Sequence, residues 1–222
     1  LQNVKGEAVI AADCFESFSG YSCNKLRPDC VSDIKCGSGG SDFKLTLGGK
    51  SVKAHTVLLG RHAVDNIALA ATVAHCAGMD VQQIAEAVSG IDYVEHRLQL
   101  IKSGGVNILD DGYNSNVKGA AAALEVLRSF DGRKIAVTPG LVELGVLEES
   151  ENKMLGTKLA GLDYVILVGD TLVTPVKEGY LQSGGDIDKL VLKPSLAAAQ
   201  EELKKIIRPG DTVLFLNDLP DI

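Results

Sequence analysis

From residue 106 onward, short apolar runs alternate with helix-forming segments, and that alternation constrains the fold more than any other feature of this chain. Runs at 106–109, 134–138, 164–168, 190–192 and 212–216 are rich in Val, Ile and Leu, and helical patterns at 118–129, 148–161, 172–183 and 195–207 separate them. Strands that read as near-continuous apolar runs are buried on both faces, which is the situation of a parallel sheet flanked by helices. Strand–helix–strand units of this kind connect by right-handed crossovers. An α/β domain with a mainly parallel sheet of five strands is the expectation for this half of the chain.

The first 92 residues follow different rules. Phe43, Leu45 and Leu47, then Val52, Ala54, Thr56 and Leu58, alternate on either side of Gly48-Gly49, which predicts a β-hairpin. Gly49-Lys50-Ser51 in its turn has the look of a phosphate-binding loop, but position 44 is Lys where that motif needs Gly, and strand residues flank it on both sides. From Val64 the period changes to three and four: Val64, Ile67, Ala68 and Ala71 share one helical face, with Gly78 closing the helix. Asp80 is placed to cap a second helix over 81–88, with Gln83 completing a capping box and Gly90 ending it. Residues 91–99 show no period and form the expected linker between a domain at 1–92 and one at 97–222. Residues 1–42 are the least readable: 7–12 carries a short apolar run that fits a strand, and Cys36-Gly37-Ser38-Gly39-Gly40-Ser41 has the composition of a flexible loop.

The chemistry concentrates at Asp110-Asp111-Gly112-Tyr113-Asn114-Ser115-Asn116, between the run at 106–109 and the helix at 118–129. Ligands of open α/β sheets gather at the carboxyl ends of strands, where helix N-termini also offer free amides. The two acids are adjacent, so on an extended strand they point to opposite faces and do not form an acid–base pair. Asp110 is expected only to terminate the strand. Asn114 and Asn116 have a structural alternative, turn formation and capping of the next helix.

A formal charge of −7 over 222 residues argues against a general nucleic-acid or anionic-membrane binder. No apolar run approaches the roughly 20 residues needed to span a bilayer, and no signal-peptide pattern opens the chain. Cys14, Cys23, Cys30, Cys36 and Cys76 are irregularly spaced without a Cys-x-x-Cys pair, which favours reduced thiols in a cytoplasmic setting over a zinc site. The chain opens at Leu1 without Met, the expectation being a fragment of a longer protein.

Gly60-Arg61-His62-Ala63-Val64-Asp65-Asn66, then His96-Arg97-Leu98, then Asp110 to Asn116, then Glu143-Leu144-Gly145, resemble in order and spacing the Mur ligases, ATP-dependent amide ligases of peptidoglycan precursor synthesis. The Asp-Asp-x-Tyr-Asn-x-Asn form resembles the branch that adds D-alanyl-D-alanine to a UDP-muramoyl peptide. The resemblance covers about residues 55–216 and implies a C-terminal Rossmann-like domain preceded by the C-terminal part of the central ATPase domain. It also implies that the P-loop, most Mg²⁺ ligands and a modified lysine lie before Leu1, so that the fragment is inactive alone. No metal ligand is assigned within the chain, and a monomer without nucleic-acid or membrane partners is expected.

By the same resemblance, Asn66 matches an Asn that contacts the adenine of ATP, His62 matches the family's His in the same ATP-site motif (with packing as its structural alternative), and Arg97 matches a linker Arg that reaches the phosphates. Asp111 matches an acid that contacts the ribose, and Tyr113, Asn114 and Asn116 match loop residues near the incoming amino substrate. The permanently charged fork of Arg and the acceptor oxygens of a carboxylate suit those tasks. The chain departs from the family at Ala63 (usually Asn), Val117 (often Pro), Thr138-Pro139-Gly140, Asn152 (often His) and the ending at 216–221, which lacks a Lys-Gly-Ser finish. Two alternatives stay open: a Mur-type ligase adding a different amino acid, and a non-catalytic α/β binding module.

Overall fold

The structure, a computed structural model, describes residues 6–11, 13–21 and 23–217. The chain divides into two compact units, Leu1–Asp92 and Tyr93–Ile222.

In the first unit, β1 (Glu7–Val9) pairs in parallel with β2 (Asn24–Leu26), and β3 (Val31–Gly37), β4 (Gly40–Leu47) and β5 (Lys50–Thr56) form an antiparallel sheet. The expected hairpin is β4–β5, with Leu47 opposite Lys50 across Gly48-Gly49. Both glycines have positive φ, 55° and 75°, the conformation a two-residue turn of matching twist requires. Gly49-Lys50-Ser51 is thus turn and strand, not a phosphate loop. The flexible loop expected at 36–41 is instead a second tight hairpin, with Cys36 opposite Ser41 and Gly37 opposite Gly40. Composition could not reveal it, because what orders the segment is the ladder with β4 and the bond from the buried Ser41 hydroxyl to Leu58 O at 3.1 Å. Ala12 of the apolar run at 7–12 lies outside the described residues.

Helices α1 (Arg61–Cys76) and α2 (Val81–Ser89) cover one face of this sheet. Their apolar stripes, Val64, Ile67, Ala68 and Ala71 with Val81, Ile84, Ala85 and Val88, meet Phe43, Leu45, Leu47 and Ala54 in one core. The capping box at α2 forms as expected: Asp80 accepts from the amides of Gln82 and Gln83, and the Gln83 side chain accepts from Asp80 N at 3.0 Å. Among the described residues no disulfide links the cysteines. Cys30 is buried against Ala68 and Thr72, and burial pushes its thiol pKa up.

The second unit is the expected α/β domain, with one strand more than its apolar pattern shows. Strands β6 (Gln99–Ser103), β7 (Val106–Asp111), β8 (Lys134–Thr138), β9 (Tyr164–Val168), β10 (Leu190–Lys193) and β11 (Thr212–Leu216) form a sheet in the order β10-β9-β8-β11-β7-β6. All pairs are parallel except β6–β7. Strand β6 has an exposed second half and, among the described residues, no neighbour beyond it, so it lacks the apolar run that marks the buried strands.

Helices α3 (Val117–Arg128), α4 (Glu148–Leu159), α5 (Val173–Gln182) and α6 (Leu196–Ile206) connect the strands. The three connections from β7 to β10 run one way along the sheet and the last runs back, so right-handed crossovers place α6 on the face opposite α3, α4 and α5. The packing agrees: Ala199 and Leu203 of α6 meet Ile135, Val137, Ile166, Val168 and Val213. The alternate residues Ala136, Val165, Leu167 and Leu214 are fully buried on the other face. At the amino ends of the strands, Arg133 grips the buried Asp211 with two bonds of 2.9 and 2.6 Å. Among the described residues no helix is long and apolar enough to cross a membrane.

Candidate functional site at the carboxyl ends of three strands

Because β7, β11 and β8 lie side by side and parallel, their carboxyl ends bring Asp110 and Asp111, Asn217, and Thr138-Pro139-Gly140 to one edge of the sheet. The loop after β7 enters α3 there. Asn116 caps that helix, its Oδ1 accepting from Gly119 N at 2.8 Å, and Val117 takes the first helical position, where Pro is favoured in general.

The two adjacent acids both grip the segment before β6, from their separate sides of the strand. Asp110 Oδ2 lies 2.9 Å from His96 Nδ1, and its Oδ1 accepts from Gly112 N at 3.1 Å. Asp110 is therefore a clamp, not merely the end of a strand. Asp111 Oδ1 accepts from Leu98 N at 3.1 Å. Burial pushes the Asp111 carboxyl up to about 6, against the pull of the Leu98 amide, the Arg97 charge and a bond from the Ser115 side chain; the Asp110 charge adds to the rise. Tyr113 N donates to His96 O at 3.2 Å, and the Arg97 guanidinium stacks 3.9 Å from the centre of the exposed Tyr113 ring.

Backbone strain gathers at the same place. Of five non-glycine residues with positive φ among the described residues, His96 (59°), Leu98 (50°), Glu143 (62°) and Asn217 (67°) belong to this cluster. Left-handed backbone costs non-glycine residues roughly 1–2 kcal/mol each and persists where surrounding contacts over-determine it, as at binding sites. Glu143 reaches across from the loop after β8, its Oε2 accepting from Asn114 Nδ2 at 3.0 Å.

Arg97, Asp111, Tyr113, Asn114 and Asn116 thus come together in the second unit. His62 and Asn66 lie on the exposed side of α1 in the first unit, while Ala63 is buried beside Val64 and Ile67. Asn152, a departure from the family's frequent His, is buried and structural: it accepts from Leu141 N at 2.8 Å and donates to Leu141 O and Glu148 O. Sequence reasoning missed Asn217 as a member of the cluster and gave Ser115, inside the motif, no role of its own. The available signal was a lone Asn directly after the last apolar strand, the residue besides Gly that best tolerates left-handed backbone. The rest of the ending, 218–222, lies outside the described residues. No group of three or more His, Cys, Asp or Glu that could hold a metal ion occurs among the described residues.

Residues 96–217 match the family described as Mur ligase, glutamate ligase domain. The chain is 28% identical over 195 residues to UDP-N-acetylmuramoyl-tripeptide–D-alanyl-D-alanine ligase of Escherichia coli (strain K12), a match covering 86% of this chain and 43% of that protein. It is 32% identical over 214 residues to UDP-N-acetylmuramoylalanine–D-glutamate ligase of Rubrobacter xylanophilus, covering 94% of this chain and 45% of that one. It thus spans less than half the length of both. The fold superimposes on the crystal structure of MurF ligase from Thermotoga maritima in complex with ADP, with a TM-score of 0.79, 22% identity, and coverage of 97% of this chain and 51% of the other. The strand-end cluster falls within the matched residues, and the chain belongs to the Mur ligase family.

Proposed function

We propose that this chain is part of an ATP-dependent amide ligase of peptidoglycan precursor synthesis, joining D-alanyl-D-alanine to a UDP-muramoyl peptide in the cytoplasm. The observation that carries this reading is the cluster of Arg97, Asp111, Tyr113 and Asn114 at the carboxyl ends of β7, β8 and β11, flanked by left-handed backbone at His96, Leu98, Glu143 and Asn217, in a chain whose relatives are named for that reaction. A structure neighbour solved with ADP supports a nucleotide ligand.

In the proposed reaction, a carboxylate oxygen of the muramoyl peptide takes the γ-phosphoryl group of ATP, releasing ADP. The amine of the incoming residue then attacks the acyl carbon, the amide bond forms, phosphate leaves and the amine gives up a proton. Such chemistry depends on holding charged groups in line. Arg97 supplies a fixed positive charge and several donors for phosphate oxygens, and stacking on Tyr113 limits its motion. Asp111 has acceptor sites beyond those used by Leu98 N and the Ser115 side chain, which suits ribose hydroxyls. Tyr113, Asn114 and Asn116 line the side of the amino substrate, Asn116 while capping α3. In the first unit, read as the C-terminal portion of the central ATP-binding domain, His62 and Asn66 serve the adenine. Mg²⁺, when bound, neutralises the phosphates.

A second reading, a ligase for D-glutamate, is favoured by the 32% identity to the Rubrobacter relative. Phosphate release by the longer protein, measured with ATP, matched muramoyl acceptors and either D-alanyl-D-alanine or D-glutamate, separates the two. Turnover with D-alanyl-D-alanine is expected; turnover with D-glutamate alone would install the second reading, and none with any amine would leave a binding module.

A further inference from the structure

We infer that Asn217 is a positioning residue that sets the place of the Asp111–Asn116 loop, a role resting on the reading of that loop as part of the ligase site. Asn217 is the first residue after β11, fully buried, with φ 67°. Its Oδ1 accepts from Ser115 N at 2.9 Å, its Nδ2 donates to Gly140 O at 2.7 Å, and its own amide donates to Asp111 O at 3.0 Å. The Ser115 side chain in turn lies close enough to Asp111 to favour its carboxylate. One side chain thereby joins the ends of β7, β8 and β11 and reaches the Asp111 carboxyl through a single intermediate residue.

The requirements on this position are narrow. The backbone needs a residue that tolerates the left-handed region, which selects Gly, Asn or Asp. The Ser115 amide needs an acceptor and the Gly140 carbonyl needs a donor, which of those three only Asn supplies together. Gly140 belongs to a loop already held by Asn152 through Leu141. Asn217 therefore ties the Asp111–Asn116 loop to that base. The exposed Asn114–Glu143 bond joins the same two loops a second time.

Asn217→Gly keeps the backbone conformation and removes both side-chain bonds; Asn217→Asp keeps the acceptor for Ser115 and loses the donor. In the 222-residue chain, Asn217→Gly is expected to speed amide exchange at Ser115 on the order of tenfold. It should also move the Asp111 titration, followed by carbon NMR, down from about 6 as water reaches the carboxyl. In the longer ligase it should lower kcat/KM by about 10- to 100-fold, while the loss of two buried bonds lowers the thermal midpoint by a few degrees. Asn217→Asp should retain Ser115 protection and recover part of the activity. Ser115 protection and kcat/KM are expected to move together across both variants, and a folded variant in which they separate overturns the proposal. So does Asn217→Gly with unchanged exchange; if that variant does not fold, Asn217→Asp decides by the same criterion. If the longer protein has no ligase activity, the functional reading falls, and the exchange and titration measurements still judge the clamp.

Discussion

Asp111 binds its proton more tightly in the folded chain than in the unfolded one, because burial raises its carboxyl from 3.8 to about 6. Between those values the folded state holds the extra proton, so this group's contribution to stability is present below pH about 4 and is lost as pH rises towards 6. Above that window the ionised carboxylate costs the fold about 1–2 kcal/mol, after discounting the full shift for the side chain's partial exposure to solvent. An amide has no such cost and can still accept from Leu98 N. Asp111→Asn is therefore expected to raise the unfolding free energy at pH 7.5 by about 1 kcal/mol, read from urea denaturation, and to lack this group's loss of stability between pH 4 and 6. If Asp111 holds the nucleotide as proposed, the same substitution should lower kcat/KM for ATP in a longer ligase, the carboxylate being kept for binding against stability. A variant no more stable at neutral pH would show that burial does not strain this carboxylate.

Helices α4 and α5 touch backbone to backbone. A Cβ on Gly156 would overlap the Val176 carbonyl, and one on Gly179 would overlap the Lys153 carbonyl, so each glycine makes room for the other helix. Helix propensity alone says that Gly179→Ala should stabilise by about 0.5–1 kcal/mol. The clash falls on backbone that cannot rotate away, and overpacking of that kind costs about 2–3 kcal/mol or more. The clash wins, and the thermal midpoint of the second unit should drop by roughly 5–10 °C; an unchanged midpoint would mean that the helices slide apart freely. This contact was invisible in the sequence, where both glycines read as ordinary helix positions. What was legible has a common physical cause. Buried parallel strands carry unbroken apolar runs, as at 134–138 and 164–168, and the Asp80–Gln83 box is a local arrangement within four residues. What was not legible depends on distant partners: the edge strand β6, the hairpin at Gly37–Gly40, and Asn217, whose bonds reach Ser115 and Gly140 more than 70 residues away.

At the scale of the whole chain, the decisive quantity is how much nucleotide-binding energy 222 residues can assemble. They contain no Gly-x-x-x-x-Gly-Lys-Ser/Thr run, the amide cradle that holds polyphosphates in P-loop enzymes. On the proposed roles they offer His62 and Asn66 from the first unit and Arg97 and Asp111 from the second. Hydrogen bonds of this kind contribute about 0.5–1.5 kcal/mol each, somewhat more where charged groups take part. Even four such contacts to one nucleotide would sum to only roughly 2–6 kcal/mol, while association costs an estimated 4–15 kcal/mol in lost freedom of motion. The net charge of −7 further opposes a polyanion. ATP should therefore bind this chain with Kd no tighter than about 1 mM, and titration calorimetry at 0.15 M salt should give heats that do not saturate below that concentration. A longer ligase of the proposed kind, if it supplies a phosphate cradle, should bind at micromolar levels. Micromolar binding by the 222 residues alone would show that a phosphate site exists within them, and the assignment of Arg97 as the phosphate contact would have to be replaced.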